Sequence, residues 1–240
     1  MKQTIPFVCE KSEVYRYLGY DAQKTENWPS VEQLYSDTFR ILSELITVRG
    51  AYRHFSLQHH LQGIFLMREQ GDFPLPGQDL AALLAQSWRV SLLAVTLGPE
   101  LDAWIDEQVA QGQYAAAAMG DAIGSAAAEE AIEQLDHQLQ EQASQCGYQT
   151  TSRFSPGYGD LPLSFQKEFL EALQEEQLPL RVNDHYLLIP RKSITALLGW
   201  QPKGSSCQDQ SKSCSHKCMT CSFLACQYRR IPLKPLGGAP

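Results

Sequence analysis

The sequence predicts an α+β fold: a single mixed helix-and-sheet domain, residues 1–203, followed by a cysteine-rich C-terminal tail, residues 204–240. Three observations predict it. An apolar content of 43% over 240 residues is enough for a sizeable core. Helical and strand periodicities follow one another without the regular alternation that βα units impose. The composition shifts at Gly204-Ser205-Ser206, beyond which cysteine and basic residues dominate.

Ser30 and Gln33 have capping-box spacing, and Val31, Leu34, Thr38, Ile41, Leu42 and Leu45 then recur at helical intervals. Asp79 is placed to cap a shorter helix through Leu80, Leu83, Leu84 and Trp88. Arg89–Leu97 is rich in Val, Leu and Thr and suits a buried strand, and Gly98-Pro99 opens the next helix. A long helix is expected from about Tyr114 to Gln145. Its first half is nearly all small residues, and Gly120 and Gly124 lie one turn apart on one face, where they reduce helix propensity in return for close approach of another backbone. Tyr148–Arg153 reads as a strand and residues 164–176 as a helix. Leu180–Val182 and Tyr186–Ile189 read as a hairpin or bent edge strand around Asn183-Asp184.

Charge excludes several classes. The formal net charge is −7, so the chain as a whole is not built to track a phosphate backbone, and no nucleic-acid partner is expected. The charge is uneven. Residues 203–240 hold six basic residues against one acid, Asp209, giving +5 and leaving −12 for residues 1–202. No apolar run approaches the ~20 residues of a membrane helix, and MKQTIPFVCEK lacks the apolar region of a signal peptide. A cytoplasmic protein without a membrane partner is expected.

Arg153-Phe154-Ser155-Pro156-Gly157-Tyr158-Gly159-Asp160 is the most constrained stretch of the body. Two glycines flanking a tyrosine let the main chain adopt positive φ and come close to a ligand. The proline pre-sets a turn, and the arginine offers a fork for a carboxylate or phosphate. On the residues alone, a ligand-binding turn and a plain structural turn both remain open.

That stretch, followed by Leu161-Pro162, Leu163, Gln166 and a helix, resembles the Arg-x-x-Pro-Gly-Tyr signature of the activation (reactivation) domain of cobalamin-dependent methionine synthase. Pro190-Arg191-Lys192-Ser193-Ile194-Thr195 is similar to that family's later Pro-x-x-Ser-Val-Ser segment. The small-residue helix from Met119 and the segment Thr96-Leu97-Gly98 also look like parts of the family, the latter of its free-standing members. The resemblance spans roughly residues 10–200, and the family's Asp-x-His-x-x-Gly corrinoid motif is absent. The resemblance implies S-adenosylmethionine as bound cofactor, with Arg153, Ser155, Gly157 and Tyr158 as its binding residues. Arg153 would clamp the methionyl carboxylate, main-chain groups around Ser155 and Gly157 would meet the nucleoside, and Tyr158 would orient the ligand, its π face suiting a sulfonium. The family usually has alanine where Ser155 stands. An Arg153→Ala change is then expected to weaken binding by ~1.5–3 kcal/mol and leave the fold intact.

The tail supplies Cys214-x3-Cys218-x2-Cys221-x4-Cys226, with Cys207 as a spare. Four thiols suit a structural zinc or an iron–sulfur cluster; reduced unliganded thiols or disulfides are the alternatives. The family's domain has no such tail. Cys9 and Cys146 stand apart and read as ordinary small buried residues. His59-His60 lacks helical ligand spacing and reads as structural, Asp184-His185 has no nucleophile elbow beside it, and Glu129-Glu130 and Glu175-Glu176 read as solvated helix faces.

The function expected from the resemblance is that of an accessory protein supporting reductive methylation, and so reactivation, of the cobalamin of a methionine synthase. The corrinoid would be carried by that partner, a methionine synthase or related corrinoid protein. The chain would be a component of a methyltransferase system for methionine biosynthesis rather than a complete enzyme. Its task would be to position the methyl donor while the corrinoid module docks. Two other classes stand beside it: an electron-transfer protein with an iron–sulfur cluster in the tail, and a free-standing S-adenosylmethionine-dependent methyltransferase.

Overall fold

The computed structural model describes residues 1–20, 29–61, 63–68, 71–173 and 178–204. The chain runs β1 (Lys2–Ile5), α1 (Lys11–Tyr17), α2 (Pro29–Leu45), β2 (Val48–His60), β3 (Gly63–Leu66), β4 (Phe73–Leu75), α3 (Gln78–Leu84), β5 (Arg89–Thr96), α4 (Pro99–Ala110) and α5 (Tyr114–Gln145). After these come β6 (Tyr148–Thr150), a 3-10 turn (Leu163–Phe165), α6 (Gln166–Leu173), β7 (Arg181–Val182), β8 (Leu188–Ile189) and β9 (Ser193–Pro202). This is the α+β organisation that the irregular periodicity predicts.

One sheet of seven strands carries the molecule, in the order β4-β3-β2-β5-β9-β6, with β1 also paired to β2. Every ladder is antiparallel. The long strand β2 makes this possible. Along one side, Arg49–Ser56 pairs with all of β5. Along the other, Val48–Ala51 pairs with β1 and Leu57–His60 with β3. β5 is buried over almost its whole length because both of its faces are covered. Leu93 and Val95 enter the core beneath α1, α2, α4 and α5, while Val90, Leu92 and Ala94 enter a second core with α3 and α6. This alternation by two explains a strand that reads as a continuous apolar run.

α5 is the spine of the first core. Its 32 residues give a rise of about 48 Å, and α1, α2, α4 and the sheet all pack on it. The small residues admit α4: a Cβ at Gly120 would come within 2.3 Å of the Trp104 ring, and one at Gly124 within 2.4 Å of Leu101 Cδ2. The close neighbours are therefore side chains, those of α4 and, at Gly124, also Lys192 Cγ at 3.2 Å, not another backbone.

Other boundaries differ from the pattern for local reasons. Pro29 and Ser30 are both already helical in α2, so Ser30 lies inside the helix instead of capping it. α3 stops at Leu84, and Trp88 stands outside it next to β5. β6 is only three residues long, although Phe154 makes a further isolated bridge to Leu197 of β9. The helix expected over 164–176 opens as the 3-10 turn, and residues 174–177 lie outside the described residues. β7 and β8 pair as a short hairpin, whose loop is organised by Asn183 Oδ1 accepting from the His185 and Leu187 N–H groups. No helix among the described residues is long and apolar enough to cross a membrane.

Candidate functional site

The Arg153–Asp160 turn leaves the sheet at the Phe154 bridge, where the Phe154 N–H donates to Leu197 O at 2.9 Å and the Leu197 N–H donates back at 2.8 Å. The chain then folds tightly on itself. Tyr158 N–H donates to Ser155 O at 3.1 Å, Leu161 N–H to Tyr158 O at 3.0 Å, and Gly157 N–H to Leu161 O at 2.9 Å. Gly157 and Gly159 have φ of +90° and +50°, the region that favours glycine. At Gly159 space matters as well, because a Cβ there would lie 2.4 Å from Asp79 Oδ2.

Two side chains fasten the ends of this turn. Asp160 accepts hydrogen bonds from the Gln78 and Asp79 N–H groups at the start of α3. It supplies the cap that the sequence pattern assigns to Asp79, whose own side chain lies in the first helical turn; the residue at the N-cap position is Gly77. At the other end Arg153 turns inward, with its side chain only 7% exposed. Its Nη2 lies 2.6 Å from Glu133 Oε2 and its Nε 3.0 Å from Asp136 Oδ2, both acids being on α5. Asp136 is itself buried, and Gln140 Nε2 donates to its Oδ1 at 3.1 Å. Burial pushes the Asp136 carboxyl above its ordinary range, and the Arg153 charge opposes that push.

Of the four predicted binding residues, Ser155 is half-buried, Gly157 and Tyr158 are exposed, and Arg153 is buried. Tyr158 is 57% exposed, so its ring stands at the surface of the turn. The inward set of Arg153 changes the expectation that Arg153→Ala leaves the fold intact, because removing the guanidinium strands a buried Asp136 carboxylate. A cavity of about 570 Å³ between α6 and the β7–β8 hairpin, lined by Lys167, Leu170, Glu171, Arg181 and Tyr186 among others, shares no lining residue with the turn.

The sequence reading missed Glu133 and Asp136. The signal was present, since Asp136 follows Ile132 by four residues and precedes Leu139 by three, on the apolar face of the helix. A buried acid in that position calls for a cation. The predicted tail ligands Cys214, Cys218, Cys221 and Cys226 lie outside the described residues, and no cluster that would hold a metal ion occurs among the described ones. Cys146 is exposed, not buried as the pattern suggested, whereas Cys9 is half-buried and its thiol is pushed up to about 11 by burial. His59 has a structural contact, Nε2 lying 2.6 Å from Ser87 O.

No model of a known protein family matches the sequence, and no curated protein matches it. Among solved structures, the chain is similar to the crystal structure of the MetH reactivation domain bound to AdoHcy. The TM-score is 0.60 and the identity 16%, over 85% of this chain and 78% of that one. The chain has the mixed α+β fold of the methionine synthase reactivation domain.

Proposed function

We propose that the chain binds S-adenosylmethionine at the Arg153–Tyr158 turn and supports reductive methylation of the cobalamin of a methionine synthase or related corrinoid protein. The observation that carries this reading is the shared fold, over 85% of the chain, with a reactivation domain whose crystal structure holds AdoHcy. It is supported by the Arg-x-x-Pro-Gly-Tyr turn, which the rest of the chain fastens at both ends while Gly157 and Tyr158 face outward.

The residues present fit the ligand. Positive φ at Gly157 lets main-chain groups approach a nucleoside, and the exposed Tyr158 ring offers a face to a sulfonium cation. Arg153 keeps Nη1 without a partner among the described residues, so one edge of the fork is available to a carboxylate. S-adenosylmethionine supplies an activated methyl group when bound. The protein's own residues hold and orient it, and the partner contributes the corrinoid.

Residues 204–240 form an appendage in this reading, in which Cys214, Cys218, Cys221 and Cys226 hold a zinc ion or an iron–sulfur cluster and the +4 charge of that segment favours an acidic partner surface. Elemental analysis of anaerobically purified protein tests the tail: metal-free protein removes that part of the reading and leaves the rest. The function is tested with an oxidised corrinoid methionine synthase that lacks a reactivation domain. Addition of this chain, S-adenosylmethionine and an electron donor is expected to restore turnover, and methyl transfer to a small acceptor without any corrinoid protein would overturn the proposal.

A further inference from the structure

We infer that two acids of α5 divide control of Arg153 between them: Asp136 is the positioning residue that fixes the guanidinium, and Glu133 is a resident carboxylate that the carboxylate of the ligand displaces. The inference rests on the reading of Arg153 as the ligand's carboxylate partner.

The two acids meet different parts of the same group. Glu133 and Asp136 are three residues apart and so share one side of α5. Asp136 takes the inner Nε at 3.0 Å with a side chain only 9% exposed, and its second oxygen is occupied by Gln140. A dry carboxylate held by an ion pair on one oxygen and a hydrogen bond on the other does not exchange readily, and its removal would take the more deeply buried counter-charge from the guanidinium. Glu133 takes Nη2, at the distal end, with a side chain 31% exposed, and its Oε1 lies 3.6 Å from the exposed His137 ring. It can therefore swing into water at little desolvation cost.

Charge argues for displacement over sharing. Arg153 with both acids ionised carries a net −1, which repels an incoming carboxylate. An end-on carboxylate uses Nη1 and Nη2 together, and Nη2 is the atom that Glu133 holds. Two carboxylates crowded on one nitrogen in a poorly solvated site disfavour each other strongly. With Glu133 released, Arg153 and Asp136 are neutral together and the fork is open. In the ligand-free protein, Glu133 gives the buried Nη2 a hydrogen-bond acceptor that the ligand's carboxylate later supplies.

The test compares dissociation constants of the full chain for S-adenosylhomocysteine, which has the carboxylate, and 5′-methylthioadenosine, which lacks it. Glu133→Gln is expected to bind S-adenosylhomocysteine about 2- to 5-fold more tightly, the size of one partly exposed ion pair, with 5′-methylthioadenosine unchanged. Asp136→Asn is expected to weaken S-adenosylhomocysteine by about tenfold or more. If Asp136→Asn fails to fold, Glu133→Gln still decides the question, since its side chain is partly solvated. Wild-type binding together with unchanged or weaker binding by Glu133→Gln overturns the inference and leaves the S-adenosylmethionine reading standing. A wild-type chain that binds neither ligand removes both.

Discussion

Asp160 caps a helix that begins 82 residues earlier, its carboxylate accepting from the Gln78 N–H. The contact joins the glycine-rich turn to α3, and Gly77, with φ of +96°, brings the backbone close enough for it. Asp160→Ala is expected to lower stability by about 1–2 kcal/mol, the usual worth of a cap, while Asp160→Asn keeps most of it. Thermal melting of the two variants checks this; equal losses would show that the cap contributes nothing.

Arg153 is structural as well as a candidate ligand group. Arg153→Ala leaves Asp136 buried and unpaired, and a loss of about 3–5 kcal/mol is expected in urea unfolding. Replacing both members, as Arg153→Met with Asp136→Leu, is expected to recover most of it, because the cost lies in the stranded charge. A double variant as unstable as the single one would contradict that account.

Gly120 is required by packing. A Cβ there would enter the Trp104 ring, so Gly120→Ala sets a gain of about 1 kcal/mol in helix propensity against about 1–3 kcal/mol of overpacking. A net loss is expected for Gly120→Ala and a larger one for Gly120→Val. Pairing Gly120→Ala with Trp104→Leu should turn the loss into a smaller one, which a double-mutant cycle reads directly.

His54 makes stability depend on pH. Burial, then the charges of Arg89 and the N-terminal amine, push its pKa down to about 4. The unfolded chain, near the ordinary 6.5, takes up the proton first as pH falls. The stability tied to neutral His54 is therefore complete above about pH 6.5 and lost progressively towards pH 4. Melting temperatures of wild type are expected to fall more steeply over that window than those of His54→Gln; parallel curves would contradict this.

The fold was legible where an element carries one continuous apolar pattern along its length. β5, α4 and α5 follow from continuous apolar runs and from Gly98-Pro99. β2 was not legible, because different stretches of it face different partners: its first half lies between β1 and β5, and its end pairs with β3, giving a burial pattern without clean alternation. The short strands β1, β3 and β4 exist only as partners of β2 or of one another, a tertiary cause that no local pattern carries. Of the site, the turn was legible from its glycines and proline. Of the acids that hold Arg153, Asp136 left a signal as an acid on the apolar face of α5, but nothing local pairs it or Glu133 with Arg153, because that contact is made only by the tertiary fold.

Isothermal titration of the full chain with S-adenosylmethionine, in parallel with Tyr158→Phe and Tyr158→Ala, tests the central claim most directly. Saturable one-site binding is expected for the wild type, with nearly normal binding by the Phe variant and weakening by roughly 1–3 kcal/mol in the Ala variant, whose exposed ring is lost. No saturable binding by the wild type, or equal binding by all three proteins, would contradict the assignment of this turn as the S-adenosylmethionine site.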